Sequence, residues 1–178
     1  MNEELIKNNI LTFMAYNFVG IKEDKNNTGQ MIERFQKAVD GKAVGEPWCM
    51  SFVQYLIDFT DNMYDAIMMS SSENRSLIYK TEHCMTCFNK TDKMQRLLLP
   101  DTGALILWSY YKNGKETGSG HVGIIVDVLD NHVVKTVEGN TSDPDNKIVR
   151  EGEGVYLKTR DLRYDYGSMR LKGMLRVW

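Results

Sequence analysis

The stretch Gly118-Ser119-Gly120-His121-Val122-Gly123-Ile124-Ile125-Val126 reads as a β-strand that begins at a histidine. Successive side chains of a strand alternate faces. Val122, Ile124, Val126 and Val128 therefore form one apolar core face, while His121 and Gly123 lie on the other. The small Gly123 leaves room beside the imidazole. A second strand, 132–138, follows across the turn Asp130-Asn131, which lacks the glycine that strong two-residue turns prefer. It closes on Glu138-Gly139-Asn140, with Glu138 and Asn140 two positions apart. If the two strands pair as a hairpin, the end of the second returns to the start of the first. Glu138 and Asn140 then come close to His121.

Outward from this hairpin, 104–111, 154–159 and 170–178 also read as strands, rich in Val, Ile, Leu, Tyr and Trp between Gly, Asn and Asp. The chain before Pro100 has a different character. Ile6, Ile10, Phe13 and Met14 recur at helical spacing, with a stop near Gly20. Met31, Ile32, Phe35, Ala38 and Val39 predict a second helix ending near Gly41. A third runs from Pro47, a residue favoured at the first helical position, to about Asp61. Its apolar stripe is Cys49, Phe52, Val53, Leu56 and Phe59. Between about 62 and 99 the pattern is weak. Ser70-Ser71-Ser72 suggests a loop, and no element is assigned over 76–94. Helices first and consecutive strands after them predict an α+β fold, N-terminal helices packed on a C-terminal antiparallel sheet. The length of 178 residues fits one domain, 1–178, with a real core.

Composition excludes several classes. Hydrophobic residues are 42% of the chain, and the net charge is -2. That balance argues against nucleic acid as the main partner, because phosphate binding needs a basic surface. No run long enough for a transmembrane helix is present, so no membrane partner is expected. The start Met1-Asn2-Glu3-Glu4-Leu5-Ile6-Lys7 carries acids where a signal peptide carries bases. The expectation is a protein made in the cytoplasm and carried to an external substrate by other machinery.

The segment Gly45-Glu46-Pro47-Trp48-Cys49-Met50-Ser51-Phe52-Val53 puts a cysteine in the first turn of the third helix. A thiolate, not a thiol, is the nucleophile, and a helix start and a nearby imidazole both favour it. Cys49 would attack a carbonyl carbon, with His121 holding it as thiolate and later protonating the leaving amine. Glu138 or Asn140 would fix the imidazole tautomer. The Cys49 backbone N–H, without a helical acceptor, is a candidate oxyanion donor. No metal or cofactor is needed for that chemistry. Against this stands the common case of a cysteine that is merely buried in an apolar helix. The conjunction of the three blocks favours catalysis.

Those blocks, Pro47-Trp48-Cys49-Met50-Ser51-Phe52-Val53, Gly120-His121-Val122-Gly123-Ile124 and Val137-Glu138-Gly139-Asn140-Thr141, resemble the signatures of CHAP domains, the cysteine, histidine-dependent amidohydrolases/peptidases. These belong to the NlpC-type, papain-like superfamily. The resemblance runs from about Asn17 to Trp178. It implies a papain-like α+β fold and cleavage of an amide bond in peptidoglycan, by an N-acetylmuramoyl-L-alanine amidase or an endopeptidase. It implies Cys49 as nucleophile, His121 as base, Glu138 as orienter and Asn140 as a fourth polar member. Family members serve as phage endolysins, autolysins and secreted cell-wall toxins. A secreted effector would bring an immunity protein as partner. Where the family usually has Gly-Asp before the strand preceding the histidine block, this chain has Gly103-Ala104. Two alternatives stay open: a cysteine hydrolase of the same fold acting on a non-wall amide or protein, and an inactive wall-binding module using the same cleft.

Other motifs weigh less. Trp48 beside the cysteine, Asn27 in the turn Glu23-Asp24-Lys25-Asn26-Asn27, and Trp108 ahead of the glycine-rich loop 114–120 are candidate substrate-binding residues. The same turn is rich in oxygen ligands, but its spacing does not match an EF-hand, and a solvated turn is the simpler reading. Cys84-Met85-Thr86-Cys87 has zinc-like spacing but no second ligand pair, and a structural zinc needs four ligands. A local disulfide or redox role is weighed and set aside as well, because the strand–helix context of a thioredoxin-like site is not found. The expectation is two ordinary thiols in a packed insertion, dispensable for the chemistry.

Overall fold

The computed structural model describes residues 2–69, 71–143 and 152–178. The elements run α1 (Glu3–Asn17), α2 (Gln30–Asp40), α3 (Cys49–Met68), α4 (Cys84–Lys90), a 3₁₀ turn (Lys93–Gln95), then β1 (Arg96–Leu97), β2 (Leu105–Lys112), β3 (Lys115–Val128), β4 (Val133–Thr141), β5 (Gly154–Asp161) and β6 (Met169–Leu175). The strands form one antiparallel sheet in the order β1-β6-β2-β3-β4-β5. This is an α+β architecture with an antiparallel sheet, and it fits a papain-like fold. No helix among the described residues is long and apolar enough to cross a membrane.

The helices follow from their apolar stripes and ends. The Asn2 side chain accepts from the Glu4 N–H at 3.1 Å and caps α1. Gly41, at φ 83°, closes α2 in the left-handed conformation that glycine adopts at little cost. The expected stripe of α1 is only partly right: Ile10 is buried, but Phe13 is 61% exposed. Helix α3 differs at both ends. Pro47 lies before the cap residue Trp48, so Cys49 itself opens the helix. The helix also continues past Asp61 to Met68, because Asn62 to Met68 holds no breaker and Tyr64 extends the buried stripe by one turn from Ile57 and Asp61.

Alternation along the strands divides the apolar residues between two clusters. Leu105, Leu107, Val122, Ile124 and Val137 join the main core with α1, α2 and α3. Ala104, Ile106, Trp108, Ile125 and Val134 form a second cluster. Val128 departs from the expected face. A register shift between Ile125 and Asp127 turns the strand, so Val128 packs on the second cluster while Val126 stays in the first. The expected loop 114–120 is instead mostly the first part of β3. The β2–β3 turn is Asn113-Gly114, both at positive φ (52° and 75°), as a tight hairpin requires.

Two glycines set how closely the site elements approach. A Cβ on Gly123 would fall 2.8 Å from Glu138 Cγ, so the room left by this glycine is filled by the carboxylate side chain. A Cβ on Gly139 would fall 2.8 Å from both the Trp48 and the Phe52 ring, so this glycine lets β4 lie directly on the start of α3.

Lys7 ties the fold together away from β3 and β4. Its ammonium is fully buried, pairs with Asp61 at 2.8 Å and Glu3 at 3.1 Å, and donates to the Asn74 carbonyl. Tyr64 and Trp178 place ring faces 5.0 and 5.7 Å from it. The Trp178 indole N–H donates to Asp61 at 2.9 Å. One buried charge thus joins α1, α3 and the final residue. Of the serine run expected as a loop, Ser70 lies outside the described residues, and Ser72 hydrogen-bonds Asp65 and Glu3.

Candidate functional site

A cleft of about 670 Å³ opens where the start of α3 meets β3 and β4. Cys49, His121 and Asn140 line it, with Asn27, Glu46, Glu82, Cys84 and Tyr110 on its walls. The cysteine is there because Trp48 and Phe52 anchor the first turn of α3 in an aromatic cluster with Phe35. The histidine is there because β3 pairs with β2 at Trp108↔His121, and the two rings stack with centroids 6.1 Å apart.

Glu138 fixes the imidazole. His121 Nε2 donates to Glu138 Oε2 at 2.9 Å, and both residues are buried. That leaves Nδ1 as the nitrogen hydrogen-bonded to Cys49. Glu138 is itself held on three sides. Arg160 on β5 donates from Nε at 2.8 Å and from Nη2 at 2.6 Å, one bond to each carboxylate oxygen. The Thr136 hydroxyl donates to Oε1 at 2.6 Å. Arg160 is clamped between the Trp108 ring at 5.3 Å and the Tyr166 ring at 4.5 Å. A planar guanidinium suits this two-pronged role where a lysine would not.

The electrostatics follow from this network. Burial works to raise the Glu138 pKa, but the bonds from Arg160 and His121 hold it well below the usual carboxylate range. Burial works to lower His121, yet bonds to Cys49 and Glu138 push it up to about 9. The Cys49 thiol lies well below its ordinary value through its hydrogen bond with Cys84, against the cost of burial, and its bond with His121. A thiolate beside an imidazolium is therefore the state this geometry favours. The first-turn N–H groups of α3 have no helical acceptors, and that of Met50 hydrogen-bonds the Cys49 sulfur and helps to hold its pKa down.

The sequence-predicted residues meet different fates. Cys49, His121 and Glu138 come together. Asn140 reaches the same cleft but does not touch the imidazole. With its amide oriented to satisfy both neighbours, it accepts from the Trp48 N–H at 3.3 Å and donates to the Gly152 carbonyl at 2.9 Å. Its φ of 51° bends β4 toward the start of α3. Asn27 lines the cleft, and its N–H donates to Glu23 at 2.8 Å. The oxygen-rich turn is thus organised by Glu23, which also accepts from the Trp48 indole N–H at 3.4 Å.

Trp48 and Trp108 require correction as substrate-binding residues. Their side chains are 0% and 1% exposed. Large apolar rings flanked by core residues on both sides were drawn inward, so Trp48 supports the turn that carries Cys49 and Trp108 backs the imidazole. Ala104 is also buried, where a carboxylate would have no place.

The insertion requires the largest correction. Cys84 opens α4, and its Sγ lies 3.6 Å from Cys49 Sγ inside the cleft. Its partner Cys87 turns away, toward the Thr91 hydroxyl at 3.9 Å. The spacing Cys84, Cys87, Phe88 is a helical stripe that could have signalled α4. Arg160 was missed as well. Its signal was that a carboxylate placed among apolar strands needs a cation, and β5 alternates Tyr156, Lys158, Arg160 on the face toward Glu138. Among the described residues no three His, Cys, Asp or Glu side chains converge to hold a metal ion.

Comparison with curated proteins and with solved structures finds no match. The family model of the CHAP domain matches residues 41–140. That span begins before α3 and ends at Asn140, so it contains the thiol, the imidazole and the carboxylate described above, though not Arg160. The family's activity is hydrolysis, usually by cysteine- and histidine-dependent amidohydrolases or peptidases. By its residues and by this match, the chain belongs to the CHAP-domain family.

Proposed function

We propose that this protein hydrolyses an amide bond of bacterial cell-wall peptides through a thioester on Cys49. The observation that carries the reading is the aligned series Cys49, His121, Glu138, with the thiol and imidazole opening on a cleft large enough for a peptide. The Cys49 thiolate attacks the carbonyl carbon, and the first-turn N–H groups of α3 face the oxyanion that forms. His121 Nδ1 gives its proton to the leaving amine, which departs and leaves the acyl group on sulfur. The neutral imidazole then takes a proton from water, which attacks the thioester and frees the acid. Glu138, held by Arg160, keeps the ring in one orientation throughout. Asn140 positions the start of α3 rather than the ring.

The cleft's character supports a peptide carrying free amines. Its walls carry the carboxylates Glu46 and Glu82, with the His83 ring 3.5 Å from Glu82. Cell-wall stem peptides contain diamino acids and suit such walls. Delivery to the wall would be through membrane lesions, as by a phage lysin, or by injection, as for an effector. The acidic walls also favour a second reading, hydrolysis of an amine conjugate outside the wall. Digestion of purified peptidoglycan, followed by mass analysis of the fragments, tests both. Release of new amino and carboxyl termini, absent with Cys49→Ala, supports the proposal and identifies the bond. Intact peptidoglycan, with turnover of amine conjugates instead, selects the second reading.

A further inference from the structure

Two sulfurs sit where the hydrolysis needs one. Cys49 and Cys84 each open a helix, and the two helix starts meet sulfur to sulfur at 3.6 Å. Both line the same cleft, so a small solute reaches them although each is largely buried. No disulfide is present. A disulfide bond is about 2.0 Å long, so closing the gap takes a movement of about 1.5 Å, within the range of side-chain rotation. Cys84 makes and breaks no covalent bond in the acyl-transfer steps, where it only supports the Cys49 thiolate through their hydrogen bond.

We propose that Cys49 and Cys84 form a peroxide-responsive pair, in which a hydroperoxide converts the nucleophile into a reversible Cys49–Cys84 disulfide. The inference rests on the reading of Cys49 as nucleophile, but its chemistry is read separately. The Cys49 thiolate attacks the terminal oxygen of the hydroperoxide. An S–O bond forms, the O–O bond breaks, and the departing alkoxide or hydroxide takes the proton of the His121 imidazolium and leaves as alcohol or water, so sulfur loses two electrons and becomes a sulfenic acid. Cys84 sulfur then attacks Cys49 sulfur. The S–S bond forms, the S–O bond breaks, and the departing hydroxide takes the Cys84 proton and leaves as water. A dithiol reverses the change by exchange, supplying two electrons and two protons.

The asymmetry of the two thiols fits these roles. The hydrogen bond between them and burial hold the Cys84 proton in place, while the same hydrogen bond and His121 favour the Cys49 thiolate. Cys49 is the sulfur that meets the oxidant, and Cys84 the one that resolves it. Without Cys84 the sulfenic acid has no thiol in contact and proceeds to sulfinic acid, which dithiols do not reduce.

The test uses the full chain, reduced and then treated with hydrogen peroxide near neutral pH. Intact mass and peptide mapping are read alongside the activity regained after dithiothreitol. The expected result is a loss of two hydrogen masses, a linked peptide joining Cys49 to Cys84, and recovery of most of the starting activity. Cys84→Ser should instead gain two or more oxygen masses on Cys49 and fail to recover its own starting activity. Cys87→Ser should behave as the unaltered chain. Oxygen masses on Cys49 of the unaltered chain without the linked peptide, or a Cys84–Cys87 link, would overturn the proposal even if Cys84→Ser failed to fold. A linked peptide in a chain that hydrolyses nothing would uphold the pairing and overturn the hydrolase reading instead.

Discussion

The two sides of the cleft hold their reactive groups in opposite ways. On the sheet side, His121 is backed by a carboxylate that accepts four hydrogen bonds, from His121, Arg160 twice and Thr136. Charge is matched by charge, and each partner sits on a strand. On the helix side, Cys49 is faced by another thiol, a weak and uncharged partner, at the start of a helix of 7 residues. The sheet side is rigid because removing any member leaves a buried charge without its partner. The helix side is held mainly by aromatic packing beneath it. The imidazole is thereby fixed, and the sulfur is flanked by an imidazole and by a second thiol.

The largest effect should come from the helix side. Cys49→Ala is expected to abolish hydrolysis while circular dichroism and melting stay near those of the unaltered chain. Cys49→Ser should be nearly as inactive, because a hydroxyl needs far stronger activation than a thiol. Normal turnover of wall fragments by purified Cys49→Ala would end the comparison at once.

On the sheet side, His121→Ala should lower the rate by about 10²- to 10⁴-fold, the usual contribution of a positioned acid–base group. Arg160→Ala should act first on stability. It leaves the Glu138 carboxylate buried with one cation fewer, a change that costs roughly 3–5 kcal/mol when a buried pair is broken. Glu138→Gln together with Arg160→Met should lose less stability than Arg160→Ala alone, measured by urea denaturation. An Arg160→Ala protein as stable as the unaltered chain would show that the sheet side is not charge-locked.

The pH dependence separates the two sides more finely. The folded pKa of His121, about 9, lies above its ordinary 6.5. Its stabilising contribution is therefore complete below 6.5 and is lost as pH rises through about 9. Glu138 is depressed, so its contribution is present above 4.5 and is lost as pH falls through the lowered value. Activity and iodoacetamide labelling of Cys49 should both be substantial at neutral pH. Activity should fall as His121 deprotonates near 9. The thiol and imidazole titrate together, so the observed limbs belong to the pair. Glu138→Gln should move the alkaline limb down toward the ordinary imidazole value. An unmoved limb would mean that Glu138 orients the ring without tuning it.

The smallest effect is expected for Cys87→Ser. Cys87 is buried, faces Thr91 and takes no part in the cleft. The loss should be confined to melting temperature, with peptidoglycan turnover unchanged.

The same contrast explains what the sequence made legible. Strand alternation around His121 and the spacing of Glu138 located the sheet side, because a period of two residues fixes faces over a short stretch. Cys49 was legible from its helix stripe and from the resemblance its flanking residues carry. Cys84 was not, because α4 is too short to be stable alone and has no side-chain cap. Only packing against β3 and β2 makes it a helix. Arg160 was hidden for a related reason: which strand neighbours β4 is a question of sheet order, and β5 begins only at Gly154, well along the chain from the end of β4 at Thr141. Trp48 and Trp108 misled because an aromatic next to a reactive residue is equally suited to hold it from behind. The extra turns of α3 were lost where charged and polar residues blurred the stripe.

The stacking of Trp108 on His121, 6.1 Å between centroids with planes 29° apart, has an optical consequence. An indole in contact with imidazolium loses excited-state energy to it more readily than to neutral imidazole. Trp108 emission should be dim while His121 is charged and should brighten as the ring gives up its proton. Trp48, in the core, and Trp178, half-buried at the end of the chain, supply a background that Phe replacements identify. The protein thus carries its own fluorophore against the His121 ring, and light alone, with no substrate added, would follow the charge on that ring.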